Sequence, residues 1–348
     1  MTEWKYLPIL KWKQGERIAL RNLKGLQSDG IVPLIELLPI SAAPNFAALQ
    51  AELPSYVDKI AKDLLKLPEG MACAIDTRYV STGYPKQAQL LASICVQLAK
   101  LTKRHIIPSI PSALVHSEPG QPVLLGKHFK ECIVRIDASS ISVAQVQPTI
   151  EIVQEAFNSG TIHVVVDQFS LVGKDPKVMT IAIRPYLDSA LASECHSVTI
   201  AGGSFPVNLI GFKQGVFDID RVEWKIWLQL RKHTEYANVR FSDYCVTHPA
   251  LGPDLDPTQV NPSVAIRYAA SNHWRLYKAG GFKKGLPDQY RSLCMLLIGD
   301  TAVYSGSTYS YGDKCYADAA SAKLGNGNPS SWRRDATNHH LVLTQAAL

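Results

Sequence analysis

The first 250 residues of the chain repeat one pattern. A short apolar run, often β-branched, ends in a polar or charged residue and is followed by a longer segment with helical spacing. Nearly continuous apolar runs that alternate with helices predict a parallel sheet covered by helices. Eight units in about 250 residues match the size and count of a (β/α)8, TIM-barrel-like domain. The predicted strands are residues 6–11, 31–37, 72–76, 106–110, 132–137, 163–167, 197–201 and 243–247.

A doubly wound open sheet is the alternative α/β architecture for the same alternation. Such a sheet normally carries a glycine-rich phosphate-binding turn after its first strand. The segment that follows the first predicted strand, Trp12-Lys13-Gln14-Gly15, is not a turn of this kind. The barrel is therefore the favoured fold.

The composition changes after Leu251, where a turn-rich stretch interrupts the alternation. A predicted hairpin around Ser271-Asn272-His273 follows, then helices and Gly-rich loops. The chain closes with a predicted short helix over 338–347, for which Asn338 is a suitable N-cap. We expect a barrel over residues 1–255 and, over 262–348, a basic α+β extension packed on it.

The charge is concentrated in that extension. The chain has 36 basic and 30 acidic residues, and residues 261–348 hold 10 of the basic and 5 of the acidic ones. This asymmetry suggests a polyanionic partner such as a nucleic acid or a nucleotide, although a solvated surface explains it equally well. Aromatic residues lie among these bases, and they either stack on unpaired nucleotides or pack the extension onto the barrel.

Several classes of protein are excluded by the sequence. No uncharged apolar run is long enough to span a membrane, and the first residues do not form a signal peptide, so we expect a cytoplasmic protein. The seven cysteines include no CxxC or CxxH pair, which argues against a zinc module and for a reducing compartment. The phosphate-binding loop of ATPases and the serine-hydrolase elbow are also absent.

In a parallel barrel the functional groups gather where the strands end. Side chains alternate along a strand, so the predicted strands place one set of polar residues at the barrel mouth. The carboxylates could bind Mg²⁺ or act as catalytic acids and bases, and the cations and the Gly-Gly turn could bind phosphate. The candidate catalytic residues are Glu36, Asp76, Asp137 and Asp167, and the candidate substrate-binding residues are Lys11, Arg78, Arg135, Gly202, Gly203, Ser204 and His248.

The alternative interpretation of the same charges is a structural ion-pair network. In that case Lys11 pairs with Glu36, the arginines pair with the aspartates on their own strands, and the network only fills the end of the barrel. The pair His339-His340 points in two directions from a helix, so the two rings cannot easily bind one metal.

The residues also resemble a known family. The opening motif Tyr6-x-Pro8-Ile9-Leu10-Lys11-Trp12, the Asp76-Thr77-Arg78 segment and the C-terminal Asn338-His339-His340 are similar to the "beta family protein" group of bacteria and phages. The resemblance covers nearly the whole chain. It implies a setting among phages and mobile elements, and it supplies no mechanism.

Two hypotheses of function follow. The first is a component of phage–host conflict, in antiviral defence or phage-encoded, that binds nucleic acid or a nucleotide and performs metal-assisted phosphodiester chemistry at the barrel mouth. The second is a non-catalytic subunit that binds protein partners of a defence system or serves as a scaffold. An enzyme should present incompletely paired carboxylates, whereas a scaffold should have these charges paired off.

Overall fold

The structure is a computed structural model, and it describes residues 3–40, 45–81, 86–117, 120–252, 261–283 and 288–348. Its main element is an eight-stranded parallel sheet, in which the strands pair in the order in which they occur along the chain. Seven of the eight predicted strands are present at their expected positions. The strands of this sheet are β1 (Ile9–Lys11), β2 (Leu34–Glu36), β3 (Cys73–Asp76), β4 (Ile106–Pro111), β5 (Glu131–Asp137), β6 (Thr161–Ser170), β7 (Ser197–Gly203) and β9 (Arg240–Phe241).

The last strand differs from the prediction. We expected it over 243–247, but the regular pairing to β7 is made by Arg240 and Phe241. The chain then turns through Asp243 to Thr247, where side-chain hydrogen bonds replace a strand ladder, such as the one from the Cys245 amide to Asp243 Oδ1 at 3.1 Å.

The sheet is curled, so its two edges lie side by side. Tyr6, just before β1, forms an isolated parallel bridge with Phe241. The Leu7 amide donates to the Phe241 carbonyl at 3.2 Å, and the Ile9 amide donates to the Asp243 carbonyl at 2.7 Å. Among the residues that the structure describes, no regular strand ladder crosses the seam between these two edges. The fold is thus mixed α/β, with a curled parallel sheet.

Helices cover the outer face of the sheet, and both of its faces are buried. The outer face belongs to the largest apolar cluster, and a smaller cluster that includes Leu7, Ile107 and Val165 fills the concave side. Burial on both faces explains the continuous apolar runs of the sequence. The helices between the strands are α1 (Gln14–Arg21), α2 (Phe46–Leu64), α3 (Arg78–Ser81), α4 (Gln87–Thr102), α5 (Ser112–Ser117), α6 (Pro122–Gly126), α7 (Val146–Phe157), α8 (Pro176–Leu191) and α9 (Val222–Leu230).

The C-terminal part contains the predicted hairpin and three helices. β10 (Ser263–Ala269) and β11 (His273–Gly281) pair antiparallel, and β11 also pairs with β8 (Gly215–Asp220), a strand that the sequence pattern did not reveal. The helices are α10 (Gln289–Gly299), α11 (Tyr311–Ala320) and α12 (Pro329–Ala347).

The closing helix α12 is longer and more deeply buried than predicted. Its N-cap is Asn328, which accepts hydrogen bonds from the amides of Ser330 and Ser331. Asn338, the predicted N-cap, lies inside the helix. Its side-chain Nδ2 donates to the Ala19 carbonyl at 2.9 Å, and its Oδ1 accepts from the Gly312 amide at 2.9 Å. Through these bonds α12 connects α1 with α11.

Candidate functional site

Arg135 occupies the centre of a group of charged side chains at the carboxyl ends of the strands. Its fully buried guanidinium contacts three carboxylates. Nη1 lies 2.9 Å from Glu36 Oε1 and 2.7 Å from Asp76 Oδ2, while Nη2 donates to Asp167 Oδ2 at 2.8 Å. Nη2 also donates to the Tyr244 hydroxyl, which itself donates to Asp167 Oδ2, both at 2.6 Å. One cation therefore holds three of the four predicted catalytic residues.

Two further cations complete this group, which we call the strand-end cluster: Lys11, Glu36, Asp76, Arg78, Arg135 and Asp167. Lys11 Nζ lies 3.8 Å from Glu36 Oε2 and donates to the carbonyls of His248 and Pro249 at 2.8 Å. Arg78 Nε lies 3.5 Å from Asp76 Oδ2, and the Arg78 amide donates to Asp76 Oδ1 at 2.8 Å. Three cations thus balance three carboxylates.

The sheet register explains why these residues meet. Lys11, Glu36 and Asp76 are direct partners across β1, β2 and β3. Arg135 lies farther round the curled sheet on β5, and its long side chain spans the concave side to reach them. The sequence prediction that these residues share one side of the sheet is confirmed by these contacts.

The electrostatics of the cluster follow from burial and pairing. Burial alone would lower the pKa of Arg135, but Tyr244, Asp167, Glu36 and Asp76 raise it well above its usual value. The pKa of Lys11 is lowered to about 8, mainly by burial, although Glu36 opposes this shift. Burial also raises the pKa of Tyr244 well above its usual value, against the effect of Arg135. Arg135 therefore stays charged, and Tyr244 stays a neutral donor.

Asp137 lies outside the strand-end cluster. It is the last residue of β5, and its Oδ1 accepts hydrogen bonds from the Ser139 amide at 2.9 Å and the Ser139 hydroxyl at 2.6 Å. No ion pair joins Asp137 to Arg135 in the described ranges. The expected pair between these two residues is wrong, because the chain turns at the end of β5 and Asp137 stabilises that turn.

Gly202 and Gly203 do not form a turn. β7 continues through both residues, and both are buried. A Cβ on Gly202 would lie 2.5 Å from Leu171 Cδ1, and one on Gly203 would lie 2.9 Å from Pro249 Cγ. Close packing therefore explains these glycines, and the expected phosphate-binding turn is replaced by strand. Ser204, just after β7, is buried and accepts a 3.4 Å hydrogen bond from Trp274 Nε1.

His248 lies beside the cluster and is held by its neighbours. Its Nδ1 accepts from the Ala250 amide at 3.1 Å, so the proton is on Nε2, which lies 2.9 Å from the Ser170 hydroxyl. Burial and the nearby charge of Lys11 lower the pKa of His248. The ring is thus a neutral imidazole, and the backbone carbonyl of His248 accepts a hydrogen bond from Lys11.

Two residues of the site were not predicted. Tyr244 is the donor that connects Arg135 and Asp167, and the Phe169 ring lies under Arg78, whose Cζ is 4.9 Å from the ring centroid. Tyr244 falls within a predicted strand and could have been selected by the same alternation. Phe169 has a left-handed backbone with φ of 54°, which no sequence signal indicates.

The cluster gives little support to the expected Mg²⁺ site. One oxygen of each carboxylate already lies against the Arg135 guanidinium, although neither Glu36 oxygen makes a hydrogen bond in the part of the chain that the structure describes. A divalent ion would have to displace this guanidinium from Glu36, Asp76 and Asp167, with which it has its closest contacts. The charges are paired, as in the alternative interpretation, but Arg135 contacts Glu36, Asp76 and Asp167 and not Asp137 on its own strand.

The basic and aromatic residues of the C-terminal part are largely engaged. Tyr268, Trp274, Tyr277 and Trp332 are buried. Trp274 packs against Phe205 and Val246 of the N-terminal part, as the packing interpretation expects, whereas the other three form a core within the C-terminal part itself. Lys284 lies outside the described residues. Five of the bases form ion pairs: Arg275 with Asp218 and Asp300, Arg291 with Asp288, Lys314 with Asp318, Arg333 with Glu16, and Arg334 with Asp335.

His339 and His340 point to different sides of α12, as the sequence indicated. His339 lies between Asp313 Oδ2 at 2.8 Å and the Ala269 carbonyl at 2.9 Å. His340 Nε2 lies 2.7 Å from Asp243 Oδ2. The expected position at a helix N-terminus is wrong, because both rings are buried in the middle of α12.

The chain is thus an α/β protein with a curled parallel sheet and a buried, charge-balanced cluster at the strand ends. The chain belongs to the Beta protein family, whose profile matches residues 6–344. No curated protein matches the chain. Among the described residues, none of the helices combines the length and the apolar character that crossing a lipid bilayer requires.

Proposed function

We propose that the protein is a non-catalytic subunit that binds a protein partner or serves as a scaffold, with the strand-end cluster as its structural ion-pair network. The observation that carries this proposal is the fully buried Arg135 guanidinium shared by Glu36, Asp76 and Asp167. A metal-dependent phosphodiesterase needs carboxylates that are free to bind metal and a cavity for substrate. Here the carboxylates are neutralised by side chains of the same chain.

The architecture that we propose is a (β/α)8 barrel closed between β1 and β9. Its support is the Tyr6–Phe241 bridge together with the two backbone hydrogen bonds across the seam. Closure would remove both sheet edges, which fits a rigid scaffold. The α+β part then packs on the barrel through α12.

The setting that we propose is phage–host conflict in the cytoplasm. The phage setting rests on the family resemblance alone, and the location rests on seven cysteines that are all unpaired, as expected of a reducing compartment. The test is the plating efficiency of phages on bacteria that express the chain. We expect the plating efficiency to differ between bacteria with and without the wild-type chain, and the Asp137→Asn variant to have the same effect as the wild type. Equal plating with and without the chain would contradict the proposal.

Catalysis is tested separately by incubating the purified protein with Mn²⁺ and either nucleotides or short oligonucleotides. We expect no turnover above the rate of a matched blank. Turnover that is lost in a folded Asp76→Asn variant would show that the cluster is an active site. The basic residues of the C-terminal part are tested independently by the salt dependence of oligonucleotide binding, measured for the wild type and for the Arg333→Gln variant.

A further inference from the structure

A second buried polar group joins three parts of the chain that are far apart in sequence. Tyr6 precedes β1, Asp243 and Cys245 follow β9, and His340 lies in α12. All four residues are buried, and the ligand atoms of Asp243, Cys245 and His340 lie within 4.8 Å of one another. We call these four residues the seam cluster, because they lie where the two edges of the sheet meet.

The Tyr6 hydroxyl lies close to all three potential ligands. It donates to Asp243 Oδ1 at 2.5 Å, and it lies 3.1 Å from His340 Nε2 and 3.5 Å from Cys245 Sγ. His340 Nε2 and Asp243 Oδ2 are 2.7 Å apart. One carboxylate, one thiol, one imidazole and one phenol therefore converge on a single point.

We propose that the seam cluster is a structural zinc site, in which a carboxylate oxygen of Asp243, Cys245 Sγ and His340 Nε2 bind Zn²⁺ and the Tyr6 hydroxyl completes the tetrahedron. Sulfur, imidazole and carboxylate ligands are those that Zn²⁺ takes in proteins. In a tetrahedral zinc site, the usual lengths of the Zn–O, Zn–N and Zn–S bonds place the ligand atoms about 3.3–3.8 Å apart. The separations of 2.5–3.5 Å from the Tyr6 hydroxyl and of 2.7 Å between His340 and Asp243 require outward shifts of at most about 1 Å. The ligand atoms of Asp243, Cys245 and His340 all lie within 4.8 Å of one another.

The proton and charge balance of the site is simple. Zn²⁺ would replace the thiol proton of Cys245, which leaves to solvent, while the Nε2 proton of His340 moves to Nδ1. Nδ1 has no hydrogen-bond partner among the described residues, so this ring nitrogen is free to carry the proton. The Tyr6 hydroxyl would bind as a neutral ligand and keep the proton that it donates to Asp243 Oδ1. With one thiolate and one carboxylate, the bound dication is neutralised within the cluster.

Arg221 is a cation beside the seam cluster, and it contacts Glu223 as well as Asp243. Its Nη2 lies 3.6 Å from Asp243 Oδ2, while its Nε lies 3.8 Å from Glu223 Oε1. Arg221 also donates to the Ala270 carbonyl at 3.1 Å and to the Thr344 hydroxyl at 3.2 Å. These acceptors hold the guanidinium on its own side of Asp243.

A metal at this position would connect the N-terminal segment, the last strand and the closing helix. His340 and Tyr6 are separated by 334 positions in the chain, and His340 and Asp243 by 97. A closed, buried site of this kind stabilises a fold and has no open position for a substrate. The absence of a CxxC motif is consistent with it, because its ligands come from separate elements.

The test is titration of the metal-free, full-length protein with Co²⁺, followed by competition with Zn²⁺. We expect one equivalent of Co²⁺ to give the visible absorption of a tetrahedral ion together with a thiolate-to-cobalt charge-transfer band, and Zn²⁺ to abolish both. Failure of the wild-type protein to bind either metal stoichiometrically would overturn the proposal, without need of any variant.

Variants locate the site. We expect Cys245→Ser to remove the charge-transfer band and His340→Gln to weaken binding by more than about tenfold. The matched controls are Cys195→Ser and His233→Gln, whose residues lie outside the cluster and whose variants should bind as the wild type does. Unchanged spectra in folded Cys245→Ser and His340→Gln variants would place the metal elsewhere and contradict the assignment.

Discussion

Arg135 and Asp167 lie on the adjacent strands β5 and β6 and are joined by two hydrogen bonds to one oxygen. Arg135 Nε and Nη2 donate to Asp167 Oδ2 at 3.0 and 2.8 Å, and the Tyr244 hydroxyl donates to the same atom at 2.6 Å. A carboxylate oxygen with three donors has little capacity left for a metal or a substrate. This relationship is the reason why we propose a structural role for the cluster.

The first prediction concerns Arg135 itself. Arg135→Met leaves three buried carboxylates without their common cation, and breaking a buried ion pair from one side costs about 3–5 kcal/mol. We expect a loss of this order in the free energy of unfolding, measured by urea denaturation. The control is Arg291→Met, because Arg291 pairs with Asp288 at the surface and its loss should cost at most about 1 kcal/mol.

A second prediction separates the four carboxylates that the sequence grouped together. Asp167→Asn should destabilise the protein by several kcal/mol, on the order of a broken buried pair, because it removes a charge that Arg135 needs. Asp137→Asn should change the stability by less than about 1 kcal/mol, because its amide oxygen can still accept from Ser139. Equal losses of stability for the two variants, measured by thermal or urea unfolding, would contradict the conclusion that Asp167 belongs to the cluster and Asp137 does not.

The third prediction is that Lys11 makes the free energy of unfolding depend on pH. Its pKa is lowered to about 8 from 10.5, mainly by burial. Between these two values the unfolded state binds more protons than the folded state, so stability gains a contribution as the pH rises from 8 toward 10.5. The difference in unfolding free energy between wild type and Lys11→Met should therefore increase over this range. A difference that stays flat or falls would be inconsistent with a buried Lys11.

The fourth prediction concerns the contact between α11 and α12. A Cβ on Gly312 would lie 2.1 Å from the Asp335 carbonyl oxygen, so the two helices must separate to admit it. We expect Gly312→Ala to cost about 2–3 kcal/mol. Gly299→Ala, at a position with open space, should change stability by no more than about 1 kcal/mol. Thermal unfolding of both variants makes the comparison.

The sequence was sufficient for most of the parallel sheet, since strands buried on both faces leave long apolar runs. Alternation also selected Lys11, Glu36, Asp76 and Asp167 correctly as neighbours. It could not show that Arg135 crosses the concave side to reach Asp76, 59 positions earlier, instead of pairing with Asp137. That choice depends on the curl of the sheet and on the turn at the end of β5.

The C-terminal part was harder to predict for a physical reason. The polar residues of α12, such as Asn338 and His340, are buried because their partners come from distant segments. Without those partners, an asparagine that follows a polar stretch resembles an N-cap. The true start of the helix, Asn328 followed by Pro329, is a usable signal, but it lies in one of the Gly-rich loops that the sequence predicts, over residues 324–331.

The most direct test of the central claim is a crystal structure of the protein soaked with Mn²⁺ and a nucleotide. We predict that Arg135 keeps its contacts with Glu36, Asp76 and Asp167 and that neither metal nor nucleotide is bound at the strand-end cluster. Density for Mn²⁺ coordinated by these carboxylates, with the Arg135 guanidinium displaced, would contradict the structural role and establish the cluster as an active site.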